Sequence, residues 1–481
     1  GKTDQATCAK WDKFFVVRGN NIREHLRNFR QARLEGIDYD PDLIPTDVKG
    51  WPGRGNPFFF DIHQFDLPNT TQGLAGFWDE DGDGLYDPTQ GDFPIVEIRG
   101  CFFSTPEEQP IPDEMTFWIY NDAGNIHAES MGDPIQMEVQ VQAFAYATND
   151  EINDMTFQRY KLINRAIESI DSTFFAMWVD PDLGCFIDDY VGCDTSRSLA
   201  YVYNQDAVDG QTGSICPGGV PTYGERIPIL GVDYFRGPLD EFGNEIGMSS
   251  FTYYNNGGVT PTPLPGTTDP NNALEYYRYL SGSWRDGTPF TYGGDAYQEP
   301  GPRIKYAFTE APNDINGWSM CTEGLPPGDR RTIQASGPFR LDPGAVNELI
   351  VGVVWVPDQV YPCPSIAKLQ EADDVAQALF DNCFRLTDGP DAPDLDFIEL
   401  DRELIAILTN DTLTSNNAFE AYAQPGLRIP AGVDDSLYRF EGYKLYQLAD
   451  PSVTISDLND PDKARLIFQV DVKNGITSIY N

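Results

Sequence analysis

Asp79, Asp81, Asp83 and Asp87 occupy positions 1, 3, 5 and 9 of the loop Asp79-Glu80-Asp81-Gly82-Asp83-Gly84-Leu85-Tyr86-Asp87. A hard cation of calcium's size takes about 6–8 oxygen ligands, and alternating Asp residues in a tight glycine turn can all direct carboxylates inward. A backbone carbonyl, here that of Leu85, fills position 7 in such loops. The spacing therefore predicts a calcium site. Position 12, where a helix-loop-helix loop carries a bidentate Glu, is Gln90, and Asp92 stands two residues further on. The loop is thus closer to the short calcium loops of extracellular modules, with Asp92 as an added ligand. Such a loop stabilises a fold and specifies no reaction.

A second acidic cluster comprises Asp180, Asp182, Asp188, Asp189 and Asp194. Carboxylates this close repel one another unless a cation or a proton relieves them, so a second metal site is expected here. A glycosidase would instead need two carboxylates held about 5–10 Å apart across a groove, and Asp is too abundant here for sequence proximity to argue that. Nucleophilic chemistry has little support. The histidines are His25, His63 and His127, and the chain has no GxSxG elbow, no HExxH and no Walker or Rossmann glycine pattern. Each histidine is expected to serve as a structural hydrogen-bonding group. Rings at Tyr253, Tyr254, Tyr276, Tyr277, Tyr279, Trp284 and Tyr292 either form a surface for sugar rings or a protein partner, or pin long loops onto the scaffold.

Composition sets the class of protein that holds these clusters. Lys plus Arg number 33 against 75 Asp plus Glu, a formal charge of −42 that repels nucleic acid and anionic membranes. Hydrophobic residues at 40% and aromatics at 13% are enough to fold, so the acidity is not that of a disordered chain. No 18-residue apolar run exists, which excludes membrane insertion as a helix. The start at Gly1-Lys2-Thr3-Asp4 suits a processed N-terminus, and a secreted, extracellular or cell-surface location is expected. Eight cysteines are compatible with disulfides outside the cytosol. Cys185 and Cys193 flank a short loop that a bridge would close. Cys363 and Cys383 flank a helical pattern, and a continuous helix would hold them about 25–30 Å apart, too far for a disulfide.

The spread of 44 Gly and 37 Pro predicts many turns and short strands, hence a mainly β, multi-domain β-sandwich with long loops and a few helices. One helix is expected near 22–34, capped by Asn20 or Asn21, with its Arg side chains docked on acidic groups. Another is expected over 365–381, from the spacing of Ile366, Leu369, Ala372, Ala376, Leu379 and Phe380. Residues 135–145 alternate between apolar and Gln or Glu, which predicts a strand with one buried face. Phe174 to Val179 and Leu349 to Val356 are unbroken apolar runs, expected as strands buried on both faces. Residues 204–330 read as long loops. The division is expected at 1–100 for a helical and irregular segment with the calcium loop, 101–388 for a large β-sandwich, and 389–481 for a final module. Strand-like runs at 404–408, 443–448 and 466–472 resemble a fibronectin type III sandwich with too few strands before Asn481, so either a fragment of a longer protein or a module completed elsewhere is expected.

Several strings together resemble a family of large secreted proteins of Bacteroidota that are cargo of the type IX secretion system. They are Trp11-Asp12-Lys13-Phe14-Phe15, the loop from Asp79 through Pro88 with Gly91-Asp92-Phe93-Pro94, Tyr160 to Arg165, Trp178 to Gly184, Asp188 to Asp194 and Asp388 to Pro393. The resemblance implies β-sandwich, fibronectin type III-like modules and a place on or outside the cell surface. The same lineage glycosylates a short Asp-Ser/Thr-apolar motif, to which Asp171-Ser172-Thr173, Asp411-Thr412-Leu413 and Asp435-Ser436-Leu437 are similar. The expected function is a non-catalytic structural or adhesive protein, a surface-layer, filament or adhesin component with calcium as its cofactor. Its partners would be copies of itself or other cell-surface proteins. The alternative is a secreted protein that binds or degrades polysaccharide.

Overall fold

The computed structural model describes residues 4–148, 151–210, 216–258, 262–357, 359–386, 389–412, 415–426, 437–450, 453, 458 and 460–475. The chain divides into two compact units, residues 1–147 with 151–376, and residues 148–150 with 377–481. The first hundred residues therefore fold with the large sandwich rather than apart from it. The reason lies in β1, which joins the main sheet directly.

The first unit contains α1 (Gln5–Trp11), β1 (Phe15–Arg18), α2 (Gly19–Glu35), β2 (Glu114–Asn121), β3 (Met137–Ala145), β4 (Met155–Asn164) and β5 (Ile170–Val179). It continues through β6 (Asp189–Asp194), β7 (Leu199–Asn204), β8 (Ile229–Arg236), β9 (Ser250–Asn255), α3 (Ala273–Leu280), β10 (Arg330–Leu341) and β11 (Val346–Val356). Helix α4 (Ala367–Asp381) follows. Eight strands form an antiparallel sheet in the order β1-β2-β3-β4-β11-β8-β7-β6, and β9-β10-β5 form a second. The second sheet packs on the first through Phe175 against Tyr160 (ring centroids 5.1 Å apart) and through the Tyr234 hydroxyl, which donates to the Gln334 carbonyl (2.8 Å). The molecule is mainly β, as composition predicts.

The opposite face of the main sheet explains why one strand departs from expectation. Along β3 the apolar residues alternate with Gln140 and Gln142, yet both glutamines are buried. Their amides donate to the carbonyls of Gly73 (3.0 Å) and Ile95 (2.7 Å), so the N-terminal segment covers what the pattern marks as a solvent face. Arg159 and Glu348 meet on that same face (2.7 Å), both buried. Buried polar side chains are tolerated where each finds a partner.

Other expectations divide. Helix α2 forms, but its N-cap is Arg18 rather than Asn20 or Asn21, because the helix begins straight out of β1. Its arginines do dock on acids, Arg33 on Glu80 (3.3 Å), Arg23 on Asp113 (3.6 Å) and Arg30 on Glu107. All six apolar residues that predict α4 are buried. Strand β11 is buried on both faces, whereas β5 is a sheet edge with Trp178 exposed, since an apolar run does not reveal its place in the sheet. The stretch 204–330 is more than loops: β8 lies between β11 and β7 inside the main sheet. Its short runs of apolar residues, broken by Gly and Pro, hide this role.

In the second unit the described strands pair two by two. These are β12 (Asp394–Leu400) with β13 (Glu403–Thr409), β14 (Ala423–Pro425) with β15 (Leu437–Arg439), and β16 (Gly442–Leu448) with β17 (Ala464–Asp471). They form separate two-stranded sheets among the described residues, not the two packed sheets of a fibronectin type III module. Phe397, Leu404 and Ile467 are exposed on these hairpins.

Candidate metal centres

The Asp79 loop is held at both ends by a short antiparallel pairing of Trp78 with Phe93 and Phe77 with Pro94. That register brings Asp79 and Asp92 side by side as the chain leaves and re-enters the pair. Tyr86, fully buried, anchors the far side of the loop by donating its hydroxyl to the Val48 carbonyl (2.7 Å). Gly82 and Gly84 both lie in the left-handed region (φ 76° and 77°), where glycine has no Cβ penalty, and this lets the chain curl round Asp79. Asp79 Oδ1 accepts from the N–H groups of Gly82 (2.8 Å) and Asp83 (3.1 Å), and Oδ2 from that of Gly84 (2.8 Å). Asp92 accepts from the N–H groups of Glu80 and Asp87, each at 2.8 Å.

One carboxylate oxygen from each of Asp79, Asp81 and Asp92 lies within 4.8 Å of the others. Asp92 is fully buried, and burial pushes its carboxyl up to about 7 against the opposing pull of those two N–H groups, with the charges of Asp79 and Asp81 adding to the rise. No Lys or Arg pairs with any of the three among the described residues. A set made only of carboxylate oxygens suits a hard cation and not zinc, which favours Cys and His. Behind the site, His25 Nε2 donates to the Asp92 carbonyl (3.0 Å) while Nδ1 accepts from the Tyr39 hydroxyl (3.2 Å). Burial lowers His25 to about 4, so the ring is a neutral prop.

The remaining predicted ligands are otherwise engaged. Asp83 Oδ1 accepts from the Leu85 N–H (2.7 Å), and Asp87 Oδ1 accepts from the Thr89 N–H (2.9 Å) and hydroxyl (2.7 Å), capping the turn Pro88–Gln90. Asp92, an afterthought in the loop pattern, is the central residue of the trio.

The second predicted set does not stay together. Asp180 and Asp182 converge with Asp329, which precedes β10 and carried no signal in the sequence. Arg331 enters this cluster, 3.0 Å from Asp180 and paired with Asp329. Asp188 and Asp189 instead join the buried Asp209 in stitching one loop system. Asp188 accepts from the Gly210 N–H (2.8 Å), Asp189 from the Leu183 N–H (3.1 Å) and Asp209 from the Cys185 N–H (2.8 Å). Asp194 is taken by Arg197 (3.0 Å) and the Gln370 amide (2.8 Å). Antiparallel geometry scatters the set: β6 carries Asp194 a strand's length from Asp189.

Six cysteines are disulfide-bonded. Cys185 pairs with Cys216 and not with Cys193, and Cys321 pairs with Cys363. Cys193, carried away from Cys185 along β6, is a buried free thiol that donates to the Ala307 carbonyl (3.4 Å). The other two histidines are hydrogen-bonded, His63 to Gly50 (2.8 Å) and His127 to Asp122 (2.7 Å). Tyr253, Tyr254, Tyr279 and Trp284 are buried and fasten loops, whereas Tyr277 and Tyr292 are exposed. Ser172 and Thr412 are exposed, and Ser436 lies outside the described residues.

No protein-family model matches the chain, and no curated protein matches it either. Among the described residues no helix is long and apolar enough to cross a membrane.

Proposed function

We propose that this chain is a non-catalytic, secreted structural or adhesive protein whose large sandwich is braced by calcium at Asp79, Asp81 and Asp92. The observation that supports it is the convergence of three carboxylates, one of them fully buried, with no side-chain cation among them. Such a group is stable only with a proton or an external cation. Calcium in this place would tie together the two ends of the loop between Trp78 and Phe93, next to Ile95 of the segment that covers the main sheet. The six disulfide-bonded cysteines and the resemblance to type IX secretion cargo support an exterior location. A surface-layer, filament or adhesin component is the role we assign it there.

Calorimetric titration of the chelator-treated full chain with calcium, beside a magnesium control, tests the metal. Binding at one tight site with a rise in Tm is expected; no heat and an unchanged Tm would sink the calcium reading. Protease treatment of intact cells tests the location, and complete protection of the chain would exclude a surface role.

A further inference from the structure

Strand β8 and helix α4 face each other with a pair of buried carboxyls that no side-chain hydrogen-bond donor satisfies, the Tyr234 N–H being the backbone donor near Asp233. Gly231 and Asp233 lie on one face of β8, and Leu369 and Asp373 lie one turn apart on α4. Leu369 packs directly over Gly231, where an added Cβ would come within 2.9 Å of its Cδ1. Four helix residues advance about 6 Å and two strand residues about 6.6 Å, so Asp373 comes within reach of Asp233 when the two run in the same sense, and the charge of Asp373 does act on Asp233. Asp233 is 1% exposed and Asp373 2%. Both oxygens of Asp233 and Oδ1 of Asp373 have no hydrogen-bond partner.

The surroundings offer little relief. On the flanking strands Leu199 of β7 and Gly352 of β11 stand opposite Asp233, and neither carries a donor on its side chain. The facing charged groups are Asp194 at the end of β6, Arg197 in the turn after it, and Asp374 on α4. Arg197 binds Asp194 and Asp374, each at 3.0 Å, and reaches Asp373 only at 3.9 Å. Three orphan oxygens are too few for a hard cation, which takes about 6–8. One proton, by contrast, turns an orphan acceptor into a donor for its neighbour.

We propose that Asp233 and Asp373 share one proton at neutral pH and form a latch that holds α4 on the main sheet and loosens when that proton is lost. Burial, and then the charge of Asp373, holds Asp233 well above the usual carboxylate range, and burial raises Asp373 to about 7 against the pull of Arg197. Both shifts are upward, so the folded state binds the extra proton above pH about 4, the ordinary range of an Asp. The stability the latch adds is at full strength below that pH and declines as pH rises: the pair gives up its first proton near pH 7, where Asp373 ionises, and holds the shared proton on Asp233 to higher pH.

Thermal unfolding of the full chain between pH 5.5 and 8.5, in saturating calcium, compares wild type with Asp233→Asn. The Asn amide donates to Asp373 at every pH, so wild-type Tm should fall with pH by about 3 °C or more beyond any fall in the variant. Equal slopes would overturn the latch. The wild-type-minus-Asp373→Asn infrared difference spectrum near pH 8, in saturating calcium, should show a protonated carboxyl band of Asp233 shifted by the loss of its Asp373 partner, a readout that stands even if Asp233→Asn fails to fold. Absence of that band, or a wild-type Tm at pH 8 raised by added sodium or potassium but not in Asp373→Asn, would overturn the shared proton.

Discussion

Two acidic trios in the same unit answer the same electrostatic problem in opposite ways. Asp79, Asp81 and Asp92 are surrounded by N–H groups of their own loop and meet no Lys or Arg among the described residues. Asp180, Asp182 and Asp329 are equally close to one another, but Arg331 sits at Asp180 and Asp329. Like charges about 4 Å apart interact by roughly 1 kcal/mol in water and about 4 near a protein surface, so three carboxylates need compensation in either place. The chain supplies its own in the second trio, whereas among the described residues the first has no side-chain counter-charge. A count of acids does not distinguish the two trios; the missing counter-charge does, and the calcium proposal rests on it.

The strongest way to break this contrast is to remove the internal cation. Arg331→Gln leaves the second trio uncompensated, and stripping one partner from a largely buried ion pair costs about 3 kcal/mol or more. Urea unfolding should show that loss in the absence of calcium. Millimolar calcium should return part of it, because the second trio then resembles the first. An undiminished stability in Arg331→Gln would mean that Arg331 is not what separates the two clusters.

Asp92→Asn acts on the other side of the comparison, with a somewhat smaller effect. A ligand at about 100 times its Kd stabilises the folded state by about 2.7 kcal/mol, and that calcium-dependent increment should vanish in the variant. Asp182→Asn should leave it untouched. If calcium stabilises Asp92→Asn as much as wild type, the first trio is not the calcium site.

What the sequence showed and what it hid follow from the same contrast. The Asp79 loop was legible because its carboxylates are local, set by glycine turns and a spacing of two. The second trio was not, since Asp329 and Arg331 stand just before and at the start of β10, far along the chain, and Asp209 joins Asp188 and Asp189 only through a loop closed by the Cys185–Cys216 bridge. The same limit applies to the fold. Helix α4 was readable from its own period of apolar residues, and β11 from its unbroken run. Gln140 and Gln142 were misplaced because their burial depends on carbonyls of Gly73 and Ile95, which no local pattern announces. Asp233 and Asp373 likewise meet only when α4 lies on β8.

The smallest expected effect decides how far the first trio extends. Asp87 caps the turn Pro88–Gln90, accepting from the Thr89 N–H and hydroxyl. Loss of such a cap costs about 1 kcal/mol. If capping is its whole role, Asp87→Ala should lose that amount equally with calcium and with chelator, and its calcium affinity should match that of wild type. Asp83, bonded to the Leu85 N–H, should behave in the same way. A cost confined to the calcium-loaded protein, with weaker calcium binding by titration, would instead make Asp87 a ligand. The cation would then draw the loop inward on binding, and the first cluster would differ from the second in its mobility as well as in its missing arginine.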